Sequence, residues 1–397
     1  MDLSFLTEEI TALQEKGRYR FLRRLSSPQD ARIVIEGREA LNFSSNNYLG
    51  LANHPEVVAA LAECAGRYGV GSGASRLISG HMDVHAELEE AVARFKGAES
   101  CLTFSAGYMA NLGILSTLGN DDATIFSDEL NHASIVDGCR LSRARVEVYR
   151  HADVTHLEDL LKSSSSRRKI VVTDSVFSMD GDIAPLPDLV TVKERHGAIL
   201  VVDDAHATGV LPPRGRGSAD HFGLVGRVEI QMGTFSKALG TYGAYLCSTR
   251  KMVDYFINKC RPFIFNTGLP PAIAGATLAS LGLLVREPGR LSALWENGKT
   301  FRGEMEARGR KAGSDTAIVP VFVGSDEDTM AVSRALFDRG VFVHGIRPPT
   351  VPEGTGRLRL TLMATHTEEM VRTAATRIDE ALRERGIGAD GTAANQG

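Results

Sequence analysis

Five segments carry residue types that can do chemistry. Val201-Val202-Asp203-Asp204-Ala205-His206 sets an acid three residues before a histidine, and Gly233-Thr234-Phe235-Ser236-Lys237 follows with a hydroxyl and a lysine. Asn131-His132-Ala133-Ser134 adds a second histidine, Phe177-Ser178-Met179-Asp180 a serine beside an acid, and Ser105-Ala106-Gly107-Tyr108 a glycine where a helix opens. A lysine amine, a carboxylate, a histidine and free backbone N–H groups at a helix start match the needs of one cofactor, pyridoxal phosphate. Its aldehyde takes a lysine amine as a Schiff base, and its pyridine nitrogen needs a carboxylate to stay protonated. Its phosphate suits the N–H groups of Gly107 and Tyr108, with the Thr234 hydroxyl as a further donor. Singly, each residue is ordinary: a lysine after a strand is usually at the surface, an aspartate there is often a cap, and His132 can cap a helix. What points to chemistry is that all of them fall at the carboxyl ends of successive strands, where open α/β sheets bind ligands.

Those strands are legible. Apolar runs at 101–104, 124–127, 169–173, 198–202 and 229–232 are bounded by polar or Gly-rich turns and separated by helix-length segments. They are continuous rather than alternating, which predicts a mostly parallel sheet buried on both faces. Asp83 is placed to cap a helix with Val84, Leu88, Val92 and Phe95 on one face, ending at Lys96-Gly97. Ahead of the sheet, Leu3 to Gln14 has helical periodicity, and Arg18, Arg20, Arg23 and Arg24 follow. Ile33-Val34-Ile35 and Leu41-Asn42-Phe43 flank Glu36-Gly37 as a hairpin. The character changes near Arg286-Glu287-Pro288-Gly289. Beyond it the pattern predicts a charged helix at 294–312, a strand at 317–323, a helix at 326–339 and strands around 341–346 and 357–362. The expected class is α/β, with an N-terminal arm (1–40), a large cofactor domain (41–288), a small α+β C-terminal domain (289–385) and a flexible tail (386–397).

Composition sets the outer bounds. The chain has 397 residues, 43% hydrophobic and 24% charged, with a formal net charge of −4. That excludes bulk disorder and argues against a nucleic-acid partner, which calls for a basic excess. Five cysteines without paired spacing fit a reducing, cytoplasmic setting. The first twenty residues are charged throughout, and no run approaches the ~18 apolar residues of a membrane helix, so no membrane partner is expected. Three strings are decoys. Gly69-Val70-Gly71-Ser72-Gly73 lacks the G-x-G-x-x-G order, Gly298-Lys299-Thr300 has Ala293 where a phosphate loop needs glycine, and no glutamate follows His81 in its pair with His85. No metal is expected. A non-catalytic subunit would have lost its lysine or its acid; Lys237, Asp203, His132 and His206 are all present.

Longer strings resemble a known family. NFSSNNYLGL (42–51), GVGSGASRLISG (69–80), FSAGYMAN (104–111), DELNHAS (128–134), FSMDGDIAPL (177–186), VVDDAHATGV (201–210), GTFSKALG (233–240) and RPPTVPEGTGRLRLT (347–361) are together similar to the α-oxoamine synthases. The resemblance spans about residues 17–384. It implies the fold-type-I aminotransferase architecture, a homodimer with shared active sites, and condensation of an amino acid with an acyl thioester. By the same resemblance, Lys237 holds the cofactor aldehyde and later removes the α-proton, and Asp203 pairs with the pyridine nitrogen. His206 bonds the phenolic oxygen with Ser178 at the same edge, and His132 stacks on the ring. Gly107, Tyr108 and Thr234 receive the phosphate, and Thr267 reaches the phosphate of the partner subunit. Asn46 and Arg359 hold the amino-acid carboxylate, while Arg20, Arg347 and Thr350 frame the acyl substrate. The Arg347-Pro348-Pro349 segment is similar to members that join L-alanine to pimeloyl-CoA or pimeloyl-acyl carrier protein. Sister members that use glycine with an acetyl or succinyl thioester are the alternative. Three positions depart from the family pattern: Arg18 where leucine is usual, Asn47 where aspartate is common, and Tyr108 for a frequent phenylalanine.

Overall fold

A computed structural model describes residues 3–389; most of the expected tail, 390–397, lies outside the described residues. The chain divides into two compact units, 46–294 and 1–45 with 295–397.

The discontinuous unit opens with a helix, Ser4–Glu15, and a hairpin of β1 (Arg32–Ile35) and β2 (Arg38–Asn42). Its turn residues Glu36 and Gly37 both have positive φ, 52° and 76°, which matches the twist a two-residue hairpin requires.

Residues 46–294 form one seven-stranded sheet. Its strands are β3 (Ser100–Phe104), β4 (Ala123–Asp128), β5 (Arg145–Tyr149), β6 (Arg168–Asp174), β7 (Ile199–Asp203), β8 (Ile230–Thr234) and β9 (Ala244–Ser248). They lie in the order β3-β9-β8-β7-β6-β4-β5. All neighbouring pairs from β8 to β5 are parallel, and only β9 runs against its neighbours. Successive strand residues enter opposite cores: Ile125, Ile170, Val172 and Val201 face one cluster, and Phe126, Val171, Leu200 and Val202 the other. Period-two geometry with both faces covered explains why these strands read as unbroken apolar runs. The β6–β7 register places Asp174 beside Asp203, so two acids meet at the carboxyl edge.

The helix expected from Asp83 is present as Asp83–Lys96, but its N-cap is Met82. The reason is local: His85 Nδ1 already accepts the Met82 N–H at 3.0 Å. Asp83 is instead the first helical residue, where its charge faces the positive end of the helix dipole.

After the helix Gly289–Ala307, which starts five residues earlier than the sequence suggested, come β10 (Ile318–Gly324), β11 (Val341–Phe342), β12 (His344–Ile346) and β13 (Gly356–Thr361). β11 joins β2 in parallel, and β10-β13-β12 form a separate antiparallel sheet. Asn47 accepts the N–H groups of Leu51 at 2.9 Å and Ala52 at 3.1 Å. An aspartate could accept the same two bonds.

One histidine clamps a loop beside the sheet edge. His151 Nδ1 lies 3.0 Å from Asp128 Oδ1 and its Nε2 lies 2.9 Å from Asp182 Oδ2, with Phe177 edge-on at 4.4 Å. Asp182 closes the turn that carries Ser178, its carbonyl accepting the Phe177 N–H at 3.0 Å next to the bridge Val176–Ile183. The bond to Asp128, then that to Asp182, raises the His151 pKa to about 10. A folded pKa above the ordinary 6.5 gives stability that is complete below pH ~6.5 and lost as pH rises through ~10. The melting-temperature gap between the native chain and His151→Gln should therefore be widest near pH 6.5 and narrow steadily toward pH 10. A gap independent of pH across that window would mean the imidazole is not held as a cation.

Candidate active site

Strand ends and the turns after them line a cavity of ≈ 140 Å³ within the unit 46–294. The structure brings together Gly107, Tyr108, His132, Asp203, His206, Thr234 and Lys237 there, seven of the residues the sequence singled out. It adds Asn111, Ser134 and Asp174, which the sequence reading did not assign. Ser178 does not line this cavity; it sits in the turn clamped by His151.

Several of these side chains are held by hydrogen bonds. Asp203 Oδ2 accepts Asn111 Nδ2 at 2.7 Å, and its Oδ1 accepts the Ala205 N–H at 2.8 Å. Asn111 also donates to Ser134 Oγ at 2.9 Å, and that hydroxyl lies 2.7 Å from His132 Nδ1. The Ser134 N–H points at the same nitrogen, at 3.2 Å, so Nδ1 is an acceptor and the ring proton of the neutral imidazole sits on Nε2. Burial lowers the His132 pKa, the Asp203 charge opposes this, and Lys237 adds to the lowering. His132 is thus a neutral ring suited to stacking. Asp174, which accepts the His132 N–H at 2.7 Å, is pushed well up by burial and then by the Asp203 charge. Asp174 is thereby driven toward its neutral form.

The end of the cavity at Gly107 and Thr234 shows what would bind there. The helix Gly107–Leu118 opens without a side-chain cap, leaving its first N–H groups for a ligand. Thr234 Oγ1 is buried and has no hydrogen-bond partner, which an anion accepting that O–H would satisfy. A Cβ at Gly107 would come within 2.5 Å of Thr234 Cγ2, so glycine keeps this cradle open. Tyr108 can offer its N–H while its hydroxyl donates to Asp137. The residues fit pyridoxal phosphate.

Nearby, Ser75 and Thr267 form an isolated bridge, and the Thr267 carbonyl accepts Ser105 Oγ at 3.4 Å. Asn46 lies 3.5 Å from the Tyr48 hydroxyl. Within the other unit, Arg20, Arg347 and Thr350 line a second cavity of ≈ 470 Å³, along with Arg18, Arg23 and His344. Burial lowers the His344 pKa, and Arg347, Arg23, Arg20 and Arg359 lower it further; the positive field there favours an anion. Arg18 is tied to Glu353 at 3.0 Å, so its departure from leucine has a partner. Arg359, on β13, is buried and donates to Thr361 Oγ1 at 3.0 Å. Among the described residues, no group of three or more His, Cys, Asp or Glu could hold a metal ion, and no helix is long and apolar enough to cross a membrane.

Residues 38–378 match the aminotransferase class I and II family. The chain is 49% identical to an 8-amino-7-oxononanoate synthase from Geotalea daltonii over 385 residues, covering 96% of this chain and 98% of that protein. The chain belongs to the α-oxoamine synthase family. Among solved structures, a serine palmitoyltransferase from S. paucimobilis with pyridoxal phosphate and myriocin bound superposes with a TM-score of 0.92 at 34% identity, covering 98% of this chain and all of that one. An 8-amino-7-oxononanoate synthase from Francisella tularensis superposes with a TM-score of 0.76 at 28% identity, covering 87% of this chain and 98% of that one. The α-oxoamine synthase fold is thus the fold-type-I architecture expected from the sequence: a large, mainly parallel sheet with a smaller C-terminal portion.

Proposed function

We propose that the chain, with pyridoxal phosphate bound, condenses L-alanine with a pimeloyl thioester to give 8-amino-7-oxononanoate, CO₂ and a free thiol, a step of biotin biosynthesis. The observation that carries the acyl choice is the ≈ 470 Å³ cavity, whose walls include Phe21, Leu22, Phe342 and Ile346 beside Arg20, Arg23 and Arg347. A pimeloyl group offers an apolar chain and a terminal carboxylate; an acetyl group offers neither. An Arg fork suits the carboxylate.

When bound, pyridoxal phosphate supplies an aldehyde that takes an amine and a ring that accepts an electron pair from the substrate. Lys237 Nζ would hold that aldehyde at rest and would be the base for the alanine α-proton. Asp203, braced by Asn111, would pair with the ring nitrogen, and neutral His132 would stack against the ring. His206 would bond the phenolic oxygen, with Ser178 assigned to the same edge. Gly107, Tyr108 and Thr234 hold the phosphate, and Thr267 is assigned to the partner subunit's phosphate in a homodimer. Exposed Val70, Ile78 and Phe265 on the two loops joined by the Ser75–Thr267 bridge support that dimer. Asn46 and Arg359 are assigned to the alanine carboxylate, and Arg20, Arg347 and Thr350 to the acyl group. Five free cysteines fit a cytoplasmic setting.

The deciding experiment follows thiol release by the cofactor-loaded protein. Release with L-alanine and pimeloyl-CoA or pimeloyl-acyl carrier protein, and none with glycine and acetyl- or succinyl-CoA, is the expected result. Release only with a glycine pair would leave the fold and discard the substrate choice. Thr234→Val should weaken cofactor binding by about 10- to 150-fold, the loss of one hydrogen bond to a charged group at ~1.5–3 kcal/mol. Absorbance titration of the cofactor reads this directly; unchanged affinity would leave the Thr234 hydroxyl without a role.

A further inference from the structure

Two strings outside the cavity, the glycine-rich run 69–73 and the pair His81 and His85, meet beside Thr267. His85 is wholly buried at the start of the helix Asp83–Lys96, and the chemistry of its partners fixes the direction of both its bonds. Its Nδ1 faces the Met82 backbone N–H at 3.0 Å; a backbone N–H only donates, so Nδ1 is an unprotonated acceptor. Its Nε2 lies 2.7 Å from the Leu269 carbonyl, which only accepts, so Nε2 carries the proton. Ser72 gives its hydroxyl to the same carbonyl at 2.7 Å. One residue earlier, the Gly268 N–H donates to the Ala74 carbonyl at 3.0 Å, and a Cβ at Gly268 would come within 2.9 Å of the Gly80 carbonyl. Arg76 fixes the loop that carries Ser72 and Ala74, donating to Thr103 Oγ1 at 2.8 Å and to Glu89 Oε1 at 3.0 Å. Thr267 is exposed, whereas Leu269 is buried.

We infer that His85 is a positioning residue for Thr267: with Ser72 it ties down the Leu269 carbonyl and so holds the backbone of 267–269 in the conformation that presents the Thr267 side chain at the surface. Residues 265–270 join the helices Arg261–Ile264 and Pro271–Arg286 and have no regular structure beyond the Ser75–Thr267 bridge. Their conformation therefore depends on the bonds they make to the loop 69–80 and to His85. An exposed hydroxyl on such a segment is presented only as well as its backbone is held. For its bearing on the cofactor, the inference rests on the assignment of Thr267 to the partner subunit's phosphate.

Two variants separate this tie from the helix cap. In His85→Asn the side-chain oxygen takes the place of Nδ1 and still accepts the Met82 N–H, while nothing reaches Leu269; Ser72→Ala removes the second donor and leaves the cap alone. In the cofactor-free protein, hydrogen exchange at the Gly268 amide should be about three- to tenfold faster in either variant, the scale of one neutral hydrogen bond, with the Leu88 amide farther along the helix unchanged. Absorbance titration with pyridoxal phosphate should show His85→Asn binding it about three- to tenfold more weakly. That loss should vanish in a Thr267→Ala background, because the tie acts through Thr267. An unchanged Gly268 amide in both variants overturns the inference. So does a loss of cofactor affinity that persists at full size beside Thr267→Ala, since a general structural defect would behave that way. Native cofactor affinity in Thr267→Ala alone would overturn the assignment of Thr267 and the part of the inference that rests on it, while Gly268 exchange still decides whether His85 holds the loop. Should His85→Asn fail to fold, Ser72→Ala carries both measurements.

Discussion

Lys237→Ala is expected to lower thiol release by more than about a thousandfold while residues 46–294 keep their fold. The side chain is asked to do two jobs, holding the cofactor aldehyde and moving the α-proton, and loss of a positioned base alone typically costs 10²–10⁴. Structure should survive because Lys237 lies in the turn after β8, is only half-buried, and leaves Phe235, Ala238 and Leu239 to the core. Its backbone carbonyl still accepts the Gly240 N–H at 2.9 Å. The check pairs circular dichroism with turnover. Native-like structure with activity within tenfold of the parent would remove Lys237 from both roles.

Lys96→Met is expected to cost stability rather than chemistry, by about 3–5 kcal/mol, the usual penalty for stranding a buried charge. Lys96 and Asp204 are both wholly buried, with Nζ 2.7 Å from Asp204 Oδ2 and 2.5 Å from the Arg216 carbonyl. The other carboxylate oxygen takes the Ser218 hydroxyl at 2.6 Å and its N–H at 3.1 Å. Gly217 makes room for the pair: its φ is +98°, and a Cβ there would run into both charged groups. Removing the ammonium leaves Asp204 without its counter-charge in a site water does not reach. Asp204→Leu combined with Lys96→Met should recover part of the loss, since a buried pair replaced whole by apolar groups is often neutral. Equilibrium urea unfolding measures both. A single variant within ~1 kcal/mol of the parent would mean the pair is not closed in solution.

Asp204 also shows where sequence reading stops. Asp203, His206 and Lys237 stand at strand ends, and strand ends were visible because burial on both faces makes each strand one apolar run. β5 escaped because it is an edge strand, with Arg145 and Glu147 interleaved with valines that remain exposed. β9 escaped because it breaks the parallel repeat, and its Tyr245 and Cys247 find burial only between β3 and β8. Asp174 had the same signal as Asp203, an acid closing an apolar run, and could have been found by it. Asn111, Ser134, Tyr48 and Lys96 had no local signal. Beside the short-range contacts of Ser134 with His132 and Tyr48 with Asn46, they have partners 23 to 158 residues away in the chain, and only the sheet order decides who those are. The His85 contact that displaced Asp83 from its cap is as local as the cap itself; there two short-range rules competed and the histidine prevailed.

The pairing of β2 with β11 has a bearing on how the chain is made. Leu41 is matched with Val341 and Asn42 with Phe342, so a hairpin synthesised near the start waits for a strand 300 residues later. At roughly 5–20 residues per second on a ribosome, that interval is on the order of 15–60 s. The residues of the seven-stranded sheet emerge in one uninterrupted stretch, 100–248. During that time the β2 edge stands open, a template for pairing with another nascent chain. Aggregation during synthesis should therefore begin at this hairpin rather than at the catalytic sheet, and ribosome-associated chaperones would have their longest task at the first 45 residues.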